Sequence, residues 1–472
     1  MQAHDGMFLD GRWQPAAGDG VIEVDDPADA QVIATAPAGT AAEVDAAVAA
    51  ARAAFPGWAA TPPAERAERV GALSEALAAR AEEVAATVTA ELGAPLTFSR
   101  KVHAAVPVAV SASYARIGAS YPYEEKAGNS TVLHEPVGVV GAITPWNYPL
   151  HQIVAKAAPA LAAGCTVVLK PAENTPLVAR LFAEAVAAAG FPPGVLNVVT
   201  GHGAEAGRAL VEHPGTDLLS FTGSTAVGRS VAAAAGAAVK PVALELGGKS
   251  ANVILPGADL ARAVSVGVAN VMANSGQTCN AWTRMLVHRG AYDEALALAA
   301  TAAAKYAPGD PRDPATRLGP LVSAAQRDRV RGHIERAAAE GAELLAGGPE
   351  APAGHERGYF VRPTVFADVT PEMAVAQEEV FGPVLAIMPY EDEDDALRIA
   401  NGTVYGLAGA VWAGDESTAA AFARRMETGT VTVNGGKFDI LAPFGGHKQS
   451  GIGRELGVAG LAEFLHTKSL QF

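Results

Sequence analysis

The chain has 472 residues, with 35 basic and 50 acidic side chains and a net charge of −15. At the usual ~100–200 residues per domain this length excludes a peptide or a disulfide mini-domain, and the acidic balance argues against a nucleic-acid partner. Half of the residues are apolar, and the two cysteines, Cys165 and Cys279, are too few for a disulfide framework, so a reducing compartment is expected.

The opening residues lack the basic segment and apolar core of a secretory signal. The apolar runs fall short of the ~20 residues that cross a bilayer. A cytoplasmic chain without membrane segments is expected.

Thr40 with Glu43 forms a capping box, and Val44, Val48, Ala51 and Phe55 follow at helical spacing until Pro56-Gly57, which predicts the end of that helix. Thr61, with Pro62 at the first helical position, predicts the next helix, and a third periodic stretch runs to Gly93. From residue 137 the pattern changes. Short apolar runs at 137–144, 166–170, 195–200, 218–222 and 242–246 alternate with helical stretches. Such alternation predicts right-handed crossovers and a doubly wound, mostly parallel sheet of the α/β class, with its ligand at the carboxyl ends of the strands. A second α/β alternation follows: a helix over 259–273, a strand over 284–288, a helix over 292–306, an ordered Gly/Pro/Asp-rich loop over 309–320, and strands near 384–388, 409–412 and 430–433. No period of 20–50 residues repeats, which excludes a solenoid.

Four places along this chain can carry chemistry. Cys279 lies in Asn274-Ser-Gly-Gln-Thr-Cys-Asn280. A lone cysteine is ordinarily a small buried hydrophobe, but these polar neighbours and the turn-permitting glycine suit a thiolate beside backbone N–H groups that hold an oxyanion. Cys165, between Gly164 and an apolar strand, keeps the ordinary reading. Glu245 closes a strand in Leu244-Glu-Leu-Gly-Gly-Lys-Ser250; it is either an edge-strand surface group or, buried at the strand's carboxyl end, a base with a raised pKa. Gly223-Ser-Thr-Ala-Val-Gly228 lies between a strand and a helix, where free N–H groups suit a pyrophosphate, although its G-x-x-x-x-G spacing departs from the dinucleotide fingerprint. Lys170-Pro-Ala-Glu173 ends another strand, where an acidic group can accept from both hydroxyls of an adenosine ribose or be a solvated loop pair.

Glu135-Pro-Val-Gly-Val-Val-Gly-Ala-Ile-Thr-Pro-Trp-Asn-Tyr-Pro149, the segments around Glu245 and Cys279, Gln377-Glu-Glu-Val-Phe-Gly-Pro-Val384 and Pro443-Phe-Gly-Gly-His-Lys-Gln-Ser-Gly-Ile-Gly-Arg454 stand in this order. Together they resemble five motifs of the aldehyde dehydrogenase superfamily, and the resemblance extends over nearly the whole chain. It implies a cofactor domain of residues 1–118 and 136–246, a catalytic domain of 247–448, and a small oligomerisation β element of 119–135 and 453–472 that pairs subunits into a homodimer or homotetramer.

The resemblance makes Cys279 the nucleophile and Glu245 the base that activates the deacylating water. Asn147 supplies an N–H to the oxyanion, and Lys156 is a second polar group near the reacting centre. Thr144, Trp146, Lys170, Glu173, Gly223, Ser224, Gly228, Leu246, Glu379 and Phe381 are implied to hold the cofactor. NAD is expected over NADP because Glu173 would repel a 2′-phosphate. No metal is implied. Tyr148, Gln152, Asn280, Phe438 and Phe444 would line the tunnel of a small aldehyde. Arg284 is taken as structural, and Lys437 as the one group that could favour the far carboxylate of an ω-oxo acid over a medium-length aliphatic or aromatic aldehyde. The implied reaction is oxidation of an aldehyde to a carboxylic acid through a cysteine thiohemiacetal and thioester. Acyl transfer to coenzyme A, or a catalytically silent scaffold of the same fold, are the alternatives; Glu245 speaks against the first and Cys279 with Glu245 against the second.

Overall fold

Thr40 caps the helix Ala41–Ala60 as its sequence predicts, with the Ala42 N–H donating to its side chain and Glu43 accepting from its backbone N–H. The structure, a computed structural model, describes residues 2–3 and 6–472. Pro56 does not end this helix. Its missing N–H costs one bond, but Trp58 beyond it is buried and donates its indole N–H to the Leu161 carbonyl at 3.2 Å, which carries the helix on to Ala60. The next helix, Pro63–Ala79, starts one residue later than predicted, because a residue that precedes a proline disfavours helical backbone and Pro62 precedes Pro63. The third, Ala81–Leu92, ends at Gly93 in the left-handed region, as expected.

The larger sheet has eight strands in the order Gly451–Ile452, Val242–Glu245, Leu218–Thr222, Val139–Ile143, Thr166–Lys170, Leu196–Val198, Gly6–Leu9 and Arg12–Pro15. Its five central strands are parallel. From Val139–Ile143 the chain winds first one way, through Thr166–Lys170, and later the other way, through Leu218–Thr222. That reversal leaves a crevice at the carboxyl ends of Val139–Ile143 and Leu218–Thr222. Trp146-Asn147 and Gly223-Ser224 emerge there.

A second sheet of seven strands runs Glu343–Ala346, Thr364–Ala367, Val384–Tyr390, Arg284–His288, Ala251–Ile254, Ala408–Trp412 and Thr430–Val433. It is parallel except at Glu343–Ala346. Arg284 is buried at its centre and donates to the carbonyls of Lys249, Ile399 and Ala400, a structural role.

A small antiparallel sheet joins Glu124–Ala127, Ser130–Pro136 and Leu465–Gln471. Residues 453–464 do not enter it: Leu456, Leu461 and Phe464 are buried in the core of the first sheet's layer. Just before them, Gly451–Ile452 pairs antiparallel with Val242–Glu245. The tail of the chain thereby returns to the strand that bears Glu245.

Candidate active site

The helix Leu260–Met272 ends in a turn whose residues Asn274, Ser275 and Gly276 have φ of 50°, 56° and 74°. Two of these are not glycine, so the conformation is held against local preference. Asn274 Nδ2 donates to the Asn147 carbonyl at 2.7 Å, Ser275 Oγ to the Gly319 carbonyl at 2.9 Å, and Gln277 Nε2 to the Asn274 carbonyl at 3.1 Å. At Gly276 a Cβ would lie 2.1 Å from the Gly382 carbonyl, so the two loops meet backbone to backbone. This turn presents Cys279. Asn147 Nδ2 donates to the Gln277 carbonyl at 3.0 Å, which fixes its amide next to the cysteine segment and leaves its second N–H available.

Cys279 is half-buried and forms a wall common to two cavities. The first, about 170 Å³, is lined by Trp146, Gly223, Ser224, Leu246, Glu379 and Phe381 of the predicted cofactor residues, together with Asn147. Gln326 and Arg329 of the helix Ala324–Ala339 join them. Nothing in their surroundings in the sequence singled them out. Glu379 Oε1 accepts from the Gly248 N–H at 3.0 Å, and a Cβ at Gly247 would lie 2.4 Å from its other oxygen. Burial pushes the Glu379 carboxyl up to about 7, with the Gly248 N–H and nearby Arg329 opposing. Phe381, at φ 60°, meets Trp146 edge to face at 5.4 Å.

The remaining predicted cofactor residues lie outside this cavity's lining. Lys170 Nζ bonds Glu173 Oε2 at 3.1 Å beyond the Thr166–Lys170 strand. The buried Thr144 hydroxyl has no partner. The predicted turn 223–228 is a turn only at Gly223-Ser224: Ser224 caps the helix Thr225–Ala237, and Gly228, already helical, is small because a Cβ there would lie 2.3 Å from Leu246 Cδ2. The first cavity suits a dinucleotide. Ser224, which caps a helix of 13 residues, and the Glu379 carboxylate, held on a glycine pair, line it together.

The second cavity, about 270 Å³, is lined by all five predicted substrate residues, Tyr148, Gln152, Asn280, Phe438 and Phe444, and also by Val102, Val106, His151 and Glu455. Tyr148 Oη and Thr278 Oγ1 are 2.8 Å apart, which ties this wall to the residue before the cysteine. Lys437 is exposed and outside the lining.

Glu245 ends the strand Val242–Glu245 with both carboxylate oxygens buried and without a partner. Burial, reinforced by the charge of Glu455 and opposed by Lys156 and Arg454, holds its carboxyl well above the ordinary range. Lys156 is fully buried and donates to Glu455 Oε1 at 2.6 Å, so the predicted second polar group stands in an ion pair beside Glu245. Burial, with Glu379 and Glu245 nearby, pushes the Cys279 thiol up. Glu245 lies outside the lining of both cavities, whereas its neighbour Leu246 lines the first. A buried carboxylate without a partner, near enough to Cys279 for its charge to act on the thiol, is an arrangement that suits covalent chemistry followed by attack of water.

The aldehyde dehydrogenase family profile matches residues 13–470. The chain is 46% identical to a 3-succinoylsemialdehyde-pyridine dehydrogenase of a Pseudomonas species, covering all of this chain and 99% of that protein. Among solved structures it is similar to a mutant of aldehyde dehydrogenase C from Pseudomonas syringae in complex with NAD+ and octanal, with a TM-score of 0.98 and 45% identity over 99% of this chain and 96% of that one. The Mycobacterium tuberculosis aldehyde dehydrogenase complexed with NAD+ gives a TM-score of 0.97 and 45% identity, covering 100% of this chain and 98% of that one. Fold, motifs and similarity over the whole length agree: the chain belongs to the aldehyde dehydrogenase family.

Proposed function

We propose that this enzyme oxidises an uncharged, medium-length aliphatic or aromatic aldehyde to its carboxylic acid, with NAD as hydride acceptor. The observation that carries this reading is the position of Cys279 in the wall shared by the two cavities. A substrate in one cavity and a nicotinamide in the other would meet at its sulfur. The Cys279 thiolate adds to the aldehyde carbon, and the developing oxyanion accepts from the free Asn147 Nδ2–H and the Cys279 backbone N–H. NAD, which Ser224, Glu379 and Phe381 of the first cavity would hold, would when bound supply the acceptor for the hydride of the tetrahedral adduct. Glu245 then takes a proton from the water that attacks the thioester, which releases the acid and the Cys279 thiolate.

Charge supports the choice of substrate. The second cavity holds the Glu455 carboxylate, and the one ammonium beside it, Lys156, is bonded to that carboxylate. A carboxylate tail would be desolvated there without a partner. The Pseudomonas syringae neighbour holds octanal and NAD+, which agrees with both parts of the reading. Glu173 favours NAD over NADP, although Lys170 beside it softens the repulsion.

We further assign 1–118 with 136–246 to cofactor binding and 247–448 to catalysis. The free edges of the small sheet serve to pair copies into a homodimer or homotetramer. Among the described residues no helix is long and apolar enough to cross a membrane, and with two unpaired cysteines the cytoplasm is the compartment proposed.

Formation of reduced nicotinamide with hexanal, benzaldehyde, succinic semialdehyde and a long ω-oxo acid tests the reading. Neutral aldehydes are expected to give the higher kcat/KM, and NAD to exceed NADP. A strong preference for either acid overturns the neutral-substrate assignment, and its loss in Lys437→Ala would give the cause.

A further inference from the structure

Between the helical turn Leu96–Phe98 and the helix Ala105–Ser120 the chain makes one π-helical turn, Ser99–Ala104. Such turns are uncommon and gather at functional sites, because the extra residue re-aims side chains that a regular helix would leave elsewhere. Val102 and Val106 line the second cavity, and His103 between them does not. Its ring is buried against the Tyr148 ring, with centroids 5.1 Å apart and planes at 31°, while Phe98 meets it edge-on at 5.4 Å. Its Nε2 stands 3.3 Å from Asn274 Oδ1, across 171 positions of chain.

The bonds around Asn274 fix which atom donates. Asn274 Nδ2 is committed to the Asn147 carbonyl at 2.7 Å and the Gln277 carbonyl at 3.4 Å, so Oδ1 faces His103 and the ring carries its hydrogen on Nε2. The bare Nδ1 is buried without a partner. Burial, opposed by the Asn274 bond and reinforced by His151, pushes the imidazole down to about 3, so the ring is neutral and this donor persists throughout the neutral range. From Asn274 the contacts run to the reacting groups. Its amide holds the Asn147 main chain, Asn147 Nδ2 donates to the Gln277 carbonyl at 3.0 Å, and Gln277 stands two residues before Cys279. His103 also braces Tyr148, whose hydroxyl lies 2.8 Å from Thr278 Oγ1. Asn274 itself has left-handed backbone, a conformation kept by such surrounding bonds.

Resting on the aldehyde-oxidising function proposed above, we propose that His103 is a positioning residue for this reaction: its Nε2–H holds the Asn274 amide, and through it the Asn147 oxyanion donor and the turn that presents Cys279. His103 lines neither cavity. Without its hydrogen bond, Asn274 Oδ1 is a buried acceptor with nothing to accept, and the amide shifts to find a donor. Displacement of the oxyanion donor then slows formation of the adduct and loss of its hydride, with little effect on how tightly aldehyde or NAD binds.

The test separates the donor from the ring. His103→Gln keeps an N–H near the place of Nε2 and loses the aromatic stack; His103→Phe keeps the stack and loses the N–H. With the full-length enzyme at saturating NAD and octanal, the first-turnover rate of reduced nicotinamide is expected to fall at least about tenfold in the phenylalanine variant and to stay within about threefold in the glutamine variant. The Kd of NAD and the half-saturating octanal concentration should change by less than about threefold in both. A residue that only packs gives the reverse order, with phenylalanine near normal and glutamine impaired, and that order overturns the proposal. Equal losses in both variants overturn it too, as does a glutamine variant that fails to fold, because a restored donor should rescue. If the phenylalanine variant does not fold, the glutamine variant decides alone: a rate within about threefold of the unsubstituted enzyme upholds the donor, and a larger fall overturns it. Absence of reduced nicotinamide from the unsubstituted enzyme with every aldehyde defeats the underlying function instead, and the positioning role with it.

Discussion

At the residue scale the chemistry divides between Cys279 and Glu245, and kinetics can separate them. Cys279→Ala removes the nucleophile without touching the glycine turn or the Glu379 cradle, so turnover should fall by at least ~10³-fold while NAD affinity stays within a few-fold. Appreciable turnover in this variant would remove the nucleophile from the scheme. Glu245→Gln should keep hydride transfer and stall at hydrolysis, seen in stopped flow as a burst of reduced nicotinamide followed by a slow phase. Its pH dependence follows from its burial. Glu245 accepts a proton only when ionised, and its carboxyl is held well above the ordinary range, so the slow phase of the unsubstituted enzyme should accelerate with rising pH through a pKa above the usual ~4.3 of glutamate. The Gln variant should lose that limb. A pH-independent deacylation rate would assign the base elsewhere. The candidacy of both residues was legible in the sequence, because each stands in polar or glycine-rich surroundings where a core residue would not. Lys156 was legible by resemblance alone, and its partner Glu455, 299 positions away, was not legible at all.

At the element scale, turns and caps carry the testable energetics. Gly276→Ala would drive a Cβ to 2.1 Å from the Gly382 carbonyl at a φ of +74°. Backbone cannot give way as a flexible side chain does, so a loss of at least ~2 kcal/mol is expected. Thermal unfolding and kcat measure it together, and an unchanged melting temperature with full activity would contradict the turn. A second case is Glu91, buried, which accepts the N–H groups of Leu177 and Val178 at 2.9 and 3.0 Å and so caps the helix Pro176–Ala188. Burial outweighs these bonds and lifts its carboxyl from 4.5 to about 8. The native state therefore binds more protons than the unfolded state between those values. The stability this group contributes is fully present below 4.5 and lost as pH rises through about 8. Unfolding free energies of the unsubstituted protein minus those of Glu91→Gln should fall across that window; a flat difference would refute the shift. Sequence periodicity placed the strands it predicted within a residue or two, including Thr166–Lys170, Leu218–Thr222, Arg284–His288 and Thr430–Val433, but it missed Gly6–Leu9, Arg12–Pro15, Val21–Asp26 and Gln31–Pro37 near the start and Ala251–Ile254, Glu343–Ala346 and Thr364–Ala367 of the second sheet. It misplaced the end of the first helix, because the local signal of Pro56 is outweighed by burial of Trp58 against a segment about a hundred positions away.

At the scale of the whole molecule, the small sheet formed by Glu124–Ala127, Ser130–Pro136 and Leu465–Gln471 leaves two edge strands with free backbone groups. Free edges are ordinarily covered or paired. Light scattering on the purified full chain should therefore give at least twice the 47.9 kDa of one copy, and a monomer at micromolar concentration would overturn the assembly. The tail that ends in this sheet also brings Gly451–Ile452 beside the strand of Glu245 and Glu455 beside Lys156. Removing residues from 451 onward should accordingly abolish activity as well as assembly.

By itself the sequence determined the alternation of strands and helices, the strand ends where chemistry could stand, and a set of motifs whose order resembles one family. These are readable because helical period, strand length, capping and glycine turns are local properties of the chain. The tertiary structure alone decided that Asn274 and Ser275 adopt left-handed backbone, that Gln326 and Arg329 reach the first cavity, and that Lys156 and Glu455 pair beside Glu245. It also decided that both cavities share Cys279 as a wall. These depend on which buried polar groups find partners across hundreds of positions, and that pairing is set by packing of the two sheets and the returning tail, which no local pattern encodes.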